Sequence, residues 1–124
     1  MAPAPEAVRK TIEAYITAVT TGTVDEIVGL FAPGATVEDP VGSGVRDTEE
    51  SIREFYSVVA GMKQTGEIYT ARIAGASAAF HFRITTEAGD QTVEITPIDV
   101  MTFDDDAKIT SMRAYWGPED MVTK

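Results

Sequence analysis

The sequence changes its rhythm at Gly66. Before it, apolar residues recur at spacings of three and four; after it, they alternate. Val8, Ile12, Tyr15, Ile16 and Val19 make one face of an amphipathic helix that Pro5 opens and Gly22 ends. Thr23-Val24-Asp25-Glu26 has capping-box spacing for a short second helix carrying Ile27, Val28, Leu30 and Phe31, closed by Pro33-Gly34. Asp47-Thr48-Glu49-Glu50 starts a third, with Ile52, Phe55, Tyr56 and Val59 on its buried face and Gly61 at its end. Beyond Gly66, strands are predicted over 67–74, 77–87, 91–103 and 107–117. Their turns fall at Gly75-Ala76, Ala88-Gly89-Asp90 and Asp104-Asp105-Asp106. Connections this short force antiparallel pairing. Residues 1–124 are therefore expected to form one α+β domain, three N-terminal helices packed on one face of an antiparallel sheet.

Composition narrows the partners. Acidic residues outnumber basic ones 20 to 10, for a net charge of −10. Nucleic acid and anionic membrane both need basic surface, so neither is expected to bind. No segment approaches the roughly 18 apolar residues of a membrane span. The opening Met-Ala-Pro-Ala-Pro-Glu lacks the apolar run of a signal peptide, so a cytoplasmic location is expected. The chain has no Cys and one His, His81, which removes disulfides, thiolate metal sites and a multi-histidine site within one chain.

Two carboxylates sit uncomfortably in this pattern. Ala35-Thr36-Val37-Glu38-Asp39-Pro40-Val41-Gly42 reads as a short strand stopped by Pro and Gly. Alternation puts Ala35, Val37 and Asp39 on one face and Thr36 and Glu38 on the other, so Glu38 points to water and Asp39 ends an apolar row. Between Gln91 and Phe103, the odd positions give Val93, Ile95, Pro97, Asp99, Met101 and Phe103, an apolar row with Asp99 in its middle. A bulge at Pro97 would reverse that parity, but Asp99 would then adjoin Ile98 and Val100. Phe80, Phe82 and Ile84 align on one neighbouring face, Met112, Ala114 and Trp116 on another. His81 and Arg83 fall opposite Phe80 and Phe82. Such surfaces line an apolar ligand cavity or simply a core. A dry aspartic acid stays neutral and donates a hydrogen bond, whereas a partly solvated one ionises and can take a proton. Tyr15 beside a neutral Asp99 would bring two O–H donors to one point, an oxyanion hole, and Asp39 would serve as base.

In order and spacing, nearly the whole chain resembles bacterial ketosteroid isomerase (steroid Δ-isomerase). The resemblance rests on the Ala35–Gly42 run, Tyr15 in the first helix and Ile52-Arg53-Glu54-Phe55-Tyr56 in the third. It continues through Pro97-Ile98-Asp99-Val100-Met101-Thr102-Phe103 and Ser111-Met112-Arg113-Ala114-Tyr115-Trp116-Gly117. It implies a cone-shaped fold of the nuclear-transport-factor-2-like group with a curved sheet, usually a homodimer, acting without a cofactor on a small apolar steroid. The implied reaction moves a proton from C4 to C6 of a 3-oxo-Δ5-steroid and yields the conjugated 3-oxo-Δ4-steroid. By position Asp39 matches the base, Tyr15 and the protonated Asp99 the oxyanion donors, and Tyr56 the residue that orients Tyr15. Phe55, Phe82, Met112 and Trp116 match the steroid slot, and Met101 is placed with them. Phe31 stands where some members carry a further tyrosine. The segment Met62 to Ala71 resembles the family least.

Blander readings compete with these. An aspartate before proline is common in turns, and a tyrosine on an apolar helix face is commonly core. His81 reads as a surface or dimer-interface residue, and Asp104-Asp105-Asp106 as a solvated turn, with no metal assigned. Two other functions fit the same fold. One is a polyketide cyclase, dehydratase or epoxide hydrolase, which would want a pocket His or an Asp-Arg-Asp set from Arg72, Arg83 or Arg113. The other is a steroid-binding domain without catalysis.

Overall fold

The computed structural model describes residues 2–124. Helix α1 spans Pro5–Thr21 and buries Val8, Ile12, Tyr15, Ile16 and Val19. It stops where the Gly22 amide donates to the Ala18 carbonyl at 2.9 Å, and a Cβ on Gly22 would come within 2.9 Å of Ala18 backbone. Helix α2 (Val24–Val28) carries the capping box: Thr23 accepts from the Glu26 amide, and the Glu26 carboxylate accepts from the Thr23 amide at 3.1 Å. Helix α3 (Glu49–Ala60) is capped by Thr48, with Ser51 completing the reciprocal bond.

The second helix is shorter than expected, and Phe31 belongs to the sheet. Strand β1 runs Phe31–Glu38 straight through Pro33-Gly34. Those two residues form an irregularity in the pairing and do not stop it. The register moves from Phe31↔Ile109 to Thr36↔Ser111, and Gly34 takes φ 79° there.

Six more strands follow: β2 (Lys63–Ala74), β3 (Ser77–Ala88), β4 (Gln91–Ile95), β5 (Ile98–Phe103), β6 (Ile109–Tyr115) and β7 (Met121–Thr123). They form a curved sheet in the order β1-β6-β5-β3-β4-β7, with β2 along the other edge of β3. The expectation of an antiparallel sheet is corrected on one pair: β1 lies parallel to β6. α3 and strands β2 to β5 lie between the two in the chain, so no short turn joins them and a parallel pairing is open. The predicted 91–103 strand is two strands, because Thr96-Pro97 interrupts the ladder. β4 pairs with the second half of β3 and β5 with the first half. The pairs Ile84↔Ile95 and His81↔Ile98 keep one register, so the break inserts no extra residue. Asp99 therefore stays on the same face as Ile95 and Pro97, opposite Phe80. β7 and the preceding turn Pro118–Asp120 have no counterpart in the sequence reading; β7 closes the free edge of β4.

The core fills the space between the helices and the inner face of the sheet. Val8, Ile12, Ile27, Val37, Phe80, Met101, Ile109 and Met112 are at most 1 % exposed. Asp99 is the one carboxylate among the described residues that is buried with them, at 1 % exposure.

Candidate active site

The helices do not cover the whole inner face. At one end they leave a mostly apolar cavity of about 240 Å³. Four elements bring polar groups to it. Tyr15 comes from the middle of α1 and Tyr56 from α3. Asp99 comes from β5, and Asp39 from the residue just past the end of β1. Phe55, Val59, Phe82, Ile84, Ile95, Pro97 and Trp116 supply apolar wall. Among the described residues, no His, Arg or Lys lines it.

The two tyrosines are bonded to each other, Oη to Oη, at 2.8 Å, and both rings are buried. Burial pushes both phenols well above their ordinary pKa; for Tyr15 the charges of Tyr56, Asp99 and Asp39 add to it. Both phenols are thus held neutral. The Phe31 ring lies against both, at 6.4 Å from Tyr15 and 5.9 Å from Tyr56 between centroids. It has no hydroxyl, so this chain of bonds ends at Tyr56.

Burial, and then the charge of Asp39, push the Asp99 carboxyl well above the ordinary carboxylate range. Its Oδ1 has no hydrogen-bond partner among the described residues, which is rare for a buried polar atom. Asp39 is less extreme. It is part-buried, and burial raises its pKa, while a hydrogen bond from Trp116 and the charge of Arg46 pull it back. The Trp116 indole N–H donates to Asp39 Oδ1 at 2.8 Å. That fixes one carboxylate oxygen and leaves the other unclaimed. Two carboxyls in one cavity thus have different environments, one dry and one steadied by a donor and the charge of Arg46.

The cavity includes Tyr15, Asp39, Tyr56, Asp99, Phe55, Phe82 and Trp116 together. Met101 and Met112 are fully buried and lie outside this lining. They pair with each other two residues along from Asp99↔Ala114, in the core. Glu38 is a correction. Its side chain is 12 % exposed rather than turned to water. It pairs with Arg113 at 3.5 Å and accepts from the Gly42 amide at 3.0 Å, because β6 flanks β1 on that side. His81 lies away from the cavity and packs on the Tyr69 ring, 5.1 Å between centroids. The Asp104 carboxylate closes its turn by accepting from the Asp106 and Lys108 amides.

Sequence reasoning missed Gln64, Thr86 and Arg46. Strand β2 starts four residues before the predicted Glu67, because Gly66 looks like a turn. The signal available was the alternation Gln64-Gly66-Ile68, which in the structure faces Thr86, Ile84 and Phe82. Arg46 sits in a loop without pattern; its guanidinium stacks 4.6 Å from the Phe55 ring centroid.

A SnoaL-like domain model matches residues 12–112. A protein of Nocardioides simplex described as a steroid Delta-isomerase is 49 % identical over 115 residues, covering 93 % of this chain and 94 % of that one. Among solved structures, the epoxide hydrolase/cyclase-like enzyme SalBIII superposes with a TM-score of 0.86 at 30 % identity, over 94 % of this chain and 95 % of its own. A Mycobacterium tuberculosis protein gives a TM-score of 0.84 at 19 % identity, over 95 % and 96 %, a likeness of fold alone.

Proposed function

The chain belongs to the SnoaL-like domain family, as a steroid Δ-isomerase, and we propose that it acts through Asp39 as base and Tyr15 with Asp99 as oxyanion donors. The observation that carries this reading is one apolar cavity lined by a part-buried carboxyl, Asp39, and by two buried groups, Tyr15 and Asp99, whose pKa values burial raises. The substrate's 3-oxo group sits at Tyr15 and Asp99, with C4 and C6 over Asp39.

The free oxygen of Asp39 takes a proton from C4. The C4–H electron pair moves to form C3=C4, and the carbonyl electrons go to O3, giving a dienolate. O3 accepts hydrogen bonds from the Tyr15 hydroxyl and the Asp99 carboxylic acid. Tyr56 turns its own O–H toward Tyr15, which frees the Tyr15 proton for O3. Asp39, now protonated, delivers the same proton to C6; the C5=C6 pair is consumed, C4=C5 forms and the carbonyl returns. Nothing is oxidised and no proton is lost. The raised pKa of Asp39 narrows its gap to the carbon acid, and the Trp116 bond keeps the carboxylate oriented across both steps.

SalBIII raises epoxide hydrolysis or cyclisation as the competing chemistry. The arginines that could assist an epoxide are engaged elsewhere: Arg83 with Glu67, Arg113 with Glu38 and Arg72 with Thr70. The test is to mix the protein with a 3-oxo-Δ5-steroid and follow the ultraviolet band of the conjugated enone. Rapid growth is expected, and Asp39→Asn should cut kcat by about 10²–10⁴-fold with little change in KM. Absence of turnover, or an Asp39→Asn enzyme of full activity, overturns the reading.

We further propose a homodimer through the outer face of the sheet. Tyr69, Ile98 and Tyr115 are exposed there at 47 %, 45 % and 43 %, and His81 joins them through its Tyr69 contact and its pairing with Ile98. Sedimentation equilibrium should return twice the chain mass, falling to one chain mass on Tyr115→Asp.

A further inference from the structure

Three buried side-chain atoms among the described residues lack a hydrogen-bond partner: Asp99 Oδ1, Gln64 Oε1 and Arg83 Nε. The first two belong to residues that line the same cavity. The mechanism uses Asp99 and leaves Gln64 without a task. We propose that Gln64, held by Thr86, is a second polar anchor that accepts a hydrogen bond from a hydroxyl at the far end of the substrate. The proposal rests on the steroid reading above and names what that steroid carries at C17.

The register places this pair. Phe80, Phe82, Ile84 and Thr86 follow one another along the inner face of β3. Asp99 stands across from Phe80 and Gln64 across from Thr86. Six residues separate the two stations, about 20 Å of strand at the usual rise and less in a straight line across a curved sheet. The apolar stretch between them is walled by Phe82, Ile84, Ile95 and Pro97. An elongated apolar ligand with its carbonyl at Tyr15 and Asp99 therefore points its other end toward Gln64.

Gln64 is built to stay inward. It is 9 % exposed, and its Nε2 donates to Thr86 Oγ1 at 2.9 Å. Two residues on, Gly66 brings β2 hard against α1 and β3. A Cβ there would lie 3.0 Å from Ile84 Cδ1, 3.1 Å from Ile16 Cγ2 and 3.2 Å from Thr20 Cγ2. The amide nitrogen gives one hydrogen to Thr86, and the oxygen is the carboxamide atom left with no partner at all. A carboxamide oxygen accepts and does not donate, so it favours an alcohol over a ketone or a plain methylene. A buried acceptor left facing a methylene stays unsatisfied, which is how a polar site discriminates.

The test compares three 3-oxo-Δ5-steroids that differ only at C17: hydroxyl, ketone and unsubstituted. The wild-type kcat/KM should favour the hydroxyl over the unsubstituted compound by about tenfold, expressed mainly in KM. Gln64→Met keeps the length and removes the acceptor, and should bring that ratio to about one whatever its absolute rates. A wild-type ratio near one, a ratio that survives in Gln64→Met, or a preference for the ketone over the hydroxyl overturns the proposal. Wild-type dissociation constants for the matching 3-oxo-Δ4-steroids, with and without the 17-hydroxyl, give the same decision without a variant or turnover. If no Δ5-ketone is isomerised, the catalytic reading fails while those constants still decide the subsite.

Discussion

Asp99→Asn should make the protein more stable while making it slower, and the gain should grow with pH. The folded state holds the Asp99 carboxyl at 1 % exposure against Phe80 and Ala114, and no basic residue lines its cavity. Its pKa is raised, first by burial and then by Asp39. In the unfolded chain an aspartate titrates near 3.9. Between that value and the raised folded one, the folded state binds one proton more than the unfolded state. Stability then falls as pH rises, by about 1.4 kcal/mol per pH unit, until pH passes the folded pKa. Asparagine is neutral in both states and contributes no such slope. The difference between variant and wild type should therefore widen by about 3 kcal/mol over two pH units above 5, for as long as the folded carboxyl keeps its proton. Asp39 is present in both proteins and its own slope cancels. Urea unfolding at about pH 5, 6 and 7, at one fixed protein concentration, reads the gap directly. A gap that is constant or narrows with pH would mean that Asp99 is ionised in the folded protein, and the neutral-donor role would fall with it.

Two further outcomes follow from the same geometry. Trp116→Phe removes the donor to Asp39 Oδ1, one of the two influences that lower its pKa. The acid limb of the kcat/KM profile should then move to higher pH, and an unmoved limb would show that the bond does not tune the base. Tyr56→Phe leaves Tyr15 without its 2.8 Å partner. It should lower kcat by up to about tenfold with KM nearly unchanged, and should also destabilise the fold by on the order of 1–3 kcal/mol, since a buried hydroxyl loses its bond. A variant with wild-type kcat would reduce Tyr56 to packing.

Local period settled the faces, and faces were enough to gather most of the candidate site. Tyr15 and Tyr56 lie on the buried stripes of α1 and α3, and Asp99 on the apolar row of β5. Non-local choices were not legible. Nothing in Phe31–Glu38 announces a parallel partner, since the pairing depends on where β6 arrives some seventy residues later. Pro33-Gly34 carries a stop signal that tertiary pairing converts into a bulge. Gly66 carries one too, yet it is a point of close approach that lets β2 continue. Depth was also out of reach. Met101 shares a face with Asp99, and only the position of the helices over the sheet decides which of the two meets the cavity.

The division of labour proposed for the two carboxyls follows from where each stands on its strand. Asp99 is inside a ladder, bonded through its backbone on both sides, Phe80 on one and Ala114 on the other. The register holds its side chain on the inner face, away from water, where burial disfavours the charged form. Asp39 stands one residue past the last paired position of β1, where Pro40 ends the ladder. Its backbone is not held between neighbours, its side chain is only part-buried, and Trp116 steadies it by one bond. A carboxyl so placed ionises more readily than one held dry in a ladder, as the proposed base requires. Moving the two roles to the opposite strand positions would put the charge where solvation is least, and the difference in chemistry would be lost.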